Sequence, residues 1–134
     1  MTRYIAAYAA TLVVMVAIDL LWLGVIAKPL YQKGIGHLMA EQPNLVAAVI
    51  FYGLFALGLM VFAIAPQGAA RAWRNTAAAA AMFGFFCYAT YDLTNLATLR
   101  NWPLGMSLLD IAWGSLVSAA AALAGRAALM QFDG

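Results

Sequence analysis

Apolar residues in this chain run in long unbroken blocks separated by short polar stretches, with neither the strict alternation of a half-buried strand nor the striped periodicity of a soluble helix. The blocks cover residues 4–27, 43–64, 76–99 and 103–125. A hydrocarbon core about 30 Å thick is crossed by roughly 20 helical residues, so each block is long enough to span one. The pattern predicts an all-α polytopic membrane protein, four transmembrane helices in a compact bundle, forming one domain over residues 1–134. Spanning by strands would need alternating segments of about ten residues with turns between them, which these runs do not provide.

The polar stretches predict how the blocks connect. Residues 28–42 begin at Lys28 and Pro29 and contain Gly34 and Gly36; Tyr31, Ile35, Leu38 and Met39 give this connection an apolar side able to rest in the membrane interface. Pro43 is expected to restart a helix in its favoured first-turn position. Arg71, Trp73 and Arg74 anchor the second connection, and residues 100–102 are so short a link that the third and fourth helices must be antiparallel neighbours. With four spans, Arg3, Arg71, Arg74 and Arg126 fall on one side and Lys28, Lys33 and Arg100 on the other. The positive-inside rule then places both termini in the cytoplasm.

Composition agrees: 66% of the residues are hydrophobic and 9% charged, far below the roughly one quarter usual in soluble domains. The net charge of +2 is spread over the connections rather than gathered, so nucleic acid is excluded as a partner. Cys87 is the only cysteine and His37 the only histidine, which removes intramolecular disulfides, thiol metal centres and haem held between two histidines. Cys87 reads as a packing residue and His37 as a solvated one. Trp73 and Trp102 read as interfacial belt residues.

Against this background the aspartates within the blocks stand out. An ionised carboxylate near the bilayer centre costs at least about 2.5–3.5 kcal/mol on insertion scales. Asp19 lies nine residues before Lys28, Asp92 eight before Arg100 and Asp110 seven after Pro103, about 13, 12 and 10 Å from one membrane face at the helical rise. They form one layer. Stepping by four, Asp19 shares a stripe with Met15, Thr11 and Ala7, Asp92 with Tyr88, Gly84 and Ala80, and Asp110 with Gly114, Ser118 and Ala122. Small and polar residues mark the packed side of a membrane helix, so the carboxylates are expected to face protein.

A donor recurs three positions after each carboxylate, Trp22 after Asp19, Asn95 after Asp92 and Trp113 after Asp110, placing an N–H beside it on the same helix face. Tyr52 lies at the same depth on the second helix and Tyr88 one turn from Asp92. The expected polar intramembrane site is therefore Asp19, Asp92, Asp110, Asn95, Trp22, Trp113, Tyr52 and Tyr88.

Such a layer fits the binding or translocation of a proton, cation or small molecule. It also fits a membrane enzyme, or enzyme subunit, that modifies a lipid, quinone or isoprenoid, with carboxyls as general acid and base. An accessory subunit of a larger membrane complex is a third reading, and a set of helix-pinning carboxyls without chemistry a fourth. No cofactor is expected. If a metal binds, a divalent cation on Asp19, Asp92 and Asp110 suits their all-oxygen chemistry. The bilayer is the certain partner, with a homodimer or larger complex as further options.

The segments "AIDLLWLGVI", "YDLTNLATLRNWP" and "LLDIAWGS" resemble an uncharacterised bacterial family of small predicted membrane proteins, catalogued as a domain of unknown function. The resemblance covers nearly the whole chain. It implies a four-helix inner-membrane protein with Asp19, Asp92, Asn95, Asp110 and Trp113 on motif positions, and it implies no particular activity.

Overall fold

The computed structural model describes residues 1–132, and every regular element among them is helical. Helix α1 (Thr2–Leu21) continues through a π turn (Trp22–Ile26) and breaks at Ala27. A short helix α2 (Lys28–Ile35) and a single 3₁₀ turn (Gly36–Leu38) follow. Helix α3 (Leu45–Leu59) ends in a second π turn (Met60–Ile64), and α4 (Trp73–Thr98) and α5 (Leu104–Gln131) complete the chain.

The ends of these helices follow from local chemistry. The side chain of Asn44 accepts from the amide of Ala47 at 3.1 Å, so the cap is Asn44 and α3 starts one residue later, which leaves Pro43 outside the helix rather than in its first turn. Pro103 likewise occupies the cap position of α5 instead of a helical one. Asn101 takes φ 59° in the link between α4 and α5, a left-handed conformation that asparagine tolerates better than most residues. At the far end α5 runs to Gln131, past the expected stop at Gly125. Arg126 belongs to that extension, and its guanidinium donates to the carbonyls of Ala69 and Arg71 at 3.3 and 2.9 Å, tying the α3–α4 connection to α5.

Helix α5 is the centre of the bundle, packed along its length against α4 on one side and α1 on the other. The i, i+4 stripes carry this packing. Ala7, Thr11, Met15 and Asp19 are the buried residues of α1, and Asp110, Gly114, Ser118 and Ala122 are all buried on α5. Close approach depends on glycine at two places: a Cβ on Gly84 would strike the Gly114 carbonyl and the Ser118 side chain, and one on Gly125 would strike Thr11.

Helix α3 packs against α1, where the Tyr8 hydroxyl donates to the Gly53 carbonyl at 3.0 Å. It approaches α4 and α5 closely only at its π turn, where Met60, Ala63 and Ile64 are buried. Nearer its start, Phe55 bridges to Phe83 and Tyr88 on α4 by ring contacts alone. The bundle is therefore closed at the end where α1 begins and splayed at the end where α2 lies.

Outward faces are apolar throughout: Ile5, Val13, Leu20, Val46, Val49 and Leu54 are all more than half exposed. Three helical stretches, Thr2–Ile26, Leu45–Ile64 and Leu104–Gln131, are long and apolar enough to cross a membrane. Helix α4 has the length, at 26 residues, but Asn75, Thr76, Tyr88, Thr90, Tyr91, Asp92, Thr94 and Asn95 dilute its apolar character. On this helix Met82, Phe85 and Phe86 are exposed, whereas Phe83 packs against the core.

Candidate functional site

The three carboxylates lie where the stripes direct them, on the inner faces of α1, α4 and α5 toward the splayed end. Asp19 is 4% exposed, Asp92 0% and Asp110 7%. All three line one cavity of about 760 Å³, bounded by α1, α2, α3, α4 and the start of α5. Its walls are largely apolar, with Leu20, Leu23, Ile35, Leu45, Phe51 and Phe55 among them; its polar lining is the three carboxylates, Tyr31, Tyr52, Tyr88 and Tyr91, together with Lys28 and Gln32 of α2.

The carboxylates differ in what holds them. Asp19 is fully partnered: Tyr52 of α3 donates its hydroxyl to one oxygen, and Trp113 of α5 donates Nε1 to the other at 3.0 Å. Asp110 accepts from the Tyr31 hydroxyl at 2.5 Å. Asp92 accepts from no Tyr, Trp or backbone donor on either oxygen, and its titratable neighbour is the Asp110 carboxyl. Tyr88 stands in the fields of both Asp19 and Asp110, and its ring occupies the space that the missing side chain of Gly114 leaves.

The spacing of donor and carboxylate on one helix does not produce the expected pairs. Trp113 donates across to Asp19 rather than back to Asp110, and Trp22 donates to the Tyr31 hydroxyl at 3.2 Å rather than to Asp19. The reason is geometric. An indole N–H sits at the far side of a rigid two-ring system, and the two indoles are locked in a parallel stack, centroids 4.3 Å apart and planes 7° from parallel. Each N–H is thereby carried past its own helix. Asn95 gives Asp92 no hydrogen bond either, since both Asp92 oxygens are unpartnered; the side chain of Asn95 interacts with Tyr91.

Tyr31 is the polar contact that sequence reasoning missed. The apolar side of residues 28–42 suggested contact with lipid, and Leu38 and Met39 are half exposed as that implies, but Tyr31 is buried against Ala27, Trp102 and Met106. Burial, followed by the hydrogen bond to Asp110, pushes its phenol well above the ordinary tyrosine range, so it remains a donor. A signal was available: α2 is short and polar apart from this face, and a tyrosine facing the bundle needs an acceptor when buried. Trp102 also departs from its expected interfacial role. It is buried, and its Nε1 donates to Ser107 at 2.8 Å. Trp73 and His37 are exposed, and Cys87, read from the sequence as a packing residue, is half buried on the cavity wall.

Among the described residues no group of three or more His, Cys, Asp or Glu side chains is arranged to hold a metal ion. The three carboxylates share a cavity but divide into a donor-saturated Asp19 and an adjoining Asp92–Asp110 pair.

Residues 4–127 match the sequence profile of the predicted membrane protein family DUF2177. The chain belongs to this family. No curated protein and no solved structure matches it. Membership of DUF2177, together with several helices of spanning length, makes this a multi-pass membrane protein. Every residue that lines the carboxylate cavity lies within the part of the chain that matches DUF2177.

Proposed function

We propose that this protein spans the bacterial inner membrane four times, with both termini in the cytoplasm, and binds a small molecule in its carboxylate cavity, the Asp92–Asp110 pair making the polar contact. The observation that carries the reading is Asp92: it is fully buried, lacks a donor on either oxygen, and borders a cavity of about 760 Å³. A buried carboxyl with no partner is expensive to keep, and a bound molecule that donates to it offsets that cost. The cavity size falls in the range of small-molecule sites, roughly 300–1,000 Å³.

A bare proton or divalent cation needs no such volume, and a lipid-acting enzyme would use the same carboxyls as general acid and base after binding. Binding is the smaller step from the geometry, and translocation or chemistry would build on it. Native mass spectrometry of the detergent-extracted protein tests this. The expected spectrum carries a co-purifying small-molecule adduct that is depleted in Asp92→Asn and retained in a variant of the exposed Leu54. An adduct of equal abundance in wild type and Asp92→Asn sinks the reading.

A further inference from the structure

We infer that the cavity takes an amphiphile with an ammonium headgroup, its nitrogen at the Asp92–Asp110 pair and its chain passing along the exposed rim of α1 and α3 into the bilayer. This rests on the binding reading above and specifies the chemistry of the occupant.

Donors and acceptors decide the headgroup. Two of the cavity hydroxyls are committed, Tyr52 to Asp19 and Tyr31 to Asp110. What remains open is acceptor capacity: both oxygens of Asp92 and the Asp110 oxygen that Tyr31 does not use. At the Asp92–Asp110 pair itself a phosphate or carboxylate headgroup would bring acceptors to acceptors, and Lys28 and Gln32 belong to the α2 wall of the cavity rather than to this pair. A hydroxyl brings one donor and no charge. An ammonium brings three donors and a positive charge, and charge-assisted hydrogen bonds are roughly twice as strong as neutral ones.

The shape of the cavity decides the rest of the molecule. Leu20, Leu23, Leu45 and Phe51 line it and are also well exposed, at 60%, 41%, 71% and 45%. Its wall therefore continues onto the outer apolar surface. Leu20 and Leu23 belong to α1 and its π turn and Leu45 and Phe51 to α3, so an alkyl chain can lie along this exposed rim with its far end among the lipid tails while the headgroup reaches the carboxylates.

The test is a thermal-shift titration of the full chain in detergent with dodecylammonium, with dodecanol as the uncharged counterpart, and with lysophosphatidylethanolamine. Dodecylammonium is expected to raise the unfolding temperature at a concentration at least tenfold below that of dodecanol, and Asp92→Asn is expected to erase this difference. An Asp92-dependent shift with lysophosphatidylethanolamine supports a phospholipid headgroup as the natural source, and a shift with dodecylammonium alone supports a free long-chain amine. Equal shifts by dodecylammonium and dodecanol, or an unchanged preference in Asp92→Asn, overturn the assignment. Ala48→Trp, on the cavity wall contributed by α3, separates the two levels of the reading. If it abolishes equal shifts by both probes, the cavity still binds and only the headgroup is wrong; if it changes nothing, the binding reading falls as well.

Discussion

Trp22 and Trp113 stack in parallel with ring centroids 4.3 Å apart, and their N–H groups point to different carboxylate shells. Trp113 donates to Asp19, while Trp22 donates to Tyr31, which donates to Asp110. The stack is therefore the rigid link between a carboxylate on α1 and one on α5, and it also fixes the place of α2. Replacing Trp22 by Leu removes one indole and its N–H together. The expected result is a loss of about 1–3 kcal/mol, combining stacking of about 0.5–1.5 kcal/mol with one hydrogen bond. Chemical or thermal unfolding in detergent measures it. A Trp22→Leu protein as stable as wild type would show that the stack holds nothing.

Asp19 and Asp92 should respond oppositely to the same substitution. Asp19→Asn turns half of an acceptor group into a donor that faces Tyr52 or Trp113, leaving a buried donor unmatched, at a cost of about 1–3 kcal/mol. Asp92→Asn takes an acceptor from no Tyr or Trp donor and leaves one carboxyl, not two, at the Asp92–Asp110 pair. The unfolding temperature is expected to fall for Asp19→Asn and to hold or rise for Asp92→Asn. The reverse order would mean that Asp92, not Asp19, is the structural carboxylate.

Much of this site is legible in the sequence because helix periodicity fixes which residues share a face. Ala7, Thr11, Met15 and Asp19 can be picked out by stepping in fours, and the same step finds Gly114 and Ser118 beside Asp110. Depth is equally legible, since it follows from counting residues to the nearest Lys, Arg or Pro. Pairing is not. Which carboxylate Trp113 serves depends on rotamers and on the stack with Trp22, and the role of Tyr31 depends on how α2 folds back after the break at Ala27. The gap between α3 and α4 is invisible for another reason: it comes from where backbones fail to meet, and residues such as Leu45 and Phe51 look alike whether they face lipid or a cavity.

Tyr31 should make α2 docking sensitive to alkali. Its phenol is held protonated above the ordinary tyrosine pKa, about 10, by burial and then by Asp110. A folded-state pKa raised in this way contributes stability that is full below the unfolded value and declines as pH rises past it. Fluorescence of Trp22 and Trp102, which pack beside Tyr31, is expected to be steady up to about pH 10 and to change above it. Tyr31→Phe should start from a less tightly docked α2 and lack that alkaline step. An identical profile in the two proteins would remove Tyr31 from the explanation.

Gly84 offers a test of the packed side. A methyl group there meets the Gly114 carbonyl and the Ser118 side chain, and the carbonyl cannot move without shifting α5. Overpacking of this kind costs about 1–3 kcal/mol. Gly84→Ala should lower the unfolding temperature, whereas Gly105→Ala, where the structure leaves open space, should not. Similar behaviour of the two variants would count against the α4–α5 contact.

The four-span topology turns on α4, the long helix whose polar residues weaken its apolar character. If it crosses the membrane, the connections before and after it lie on opposite sides, and the positive-inside rule puts residues 65–72 in the cytoplasm and Asn101 outside. In a Cys87→Ser background, single cysteines at Ala70 and Asn101 separate the possibilities. An impermeant thiol reagent added to intact cells should label the cysteine at 101 and reach the one at 70 only after permeabilisation. Labelling of both from one side would leave α4 lying in or on the membrane, and Asp92 would then enter the site from a helix that does not span. The opposite pattern, 70 outside and 101 inside, would keep four spans but invert them, and the carboxylate cavity would face the cytoplasm.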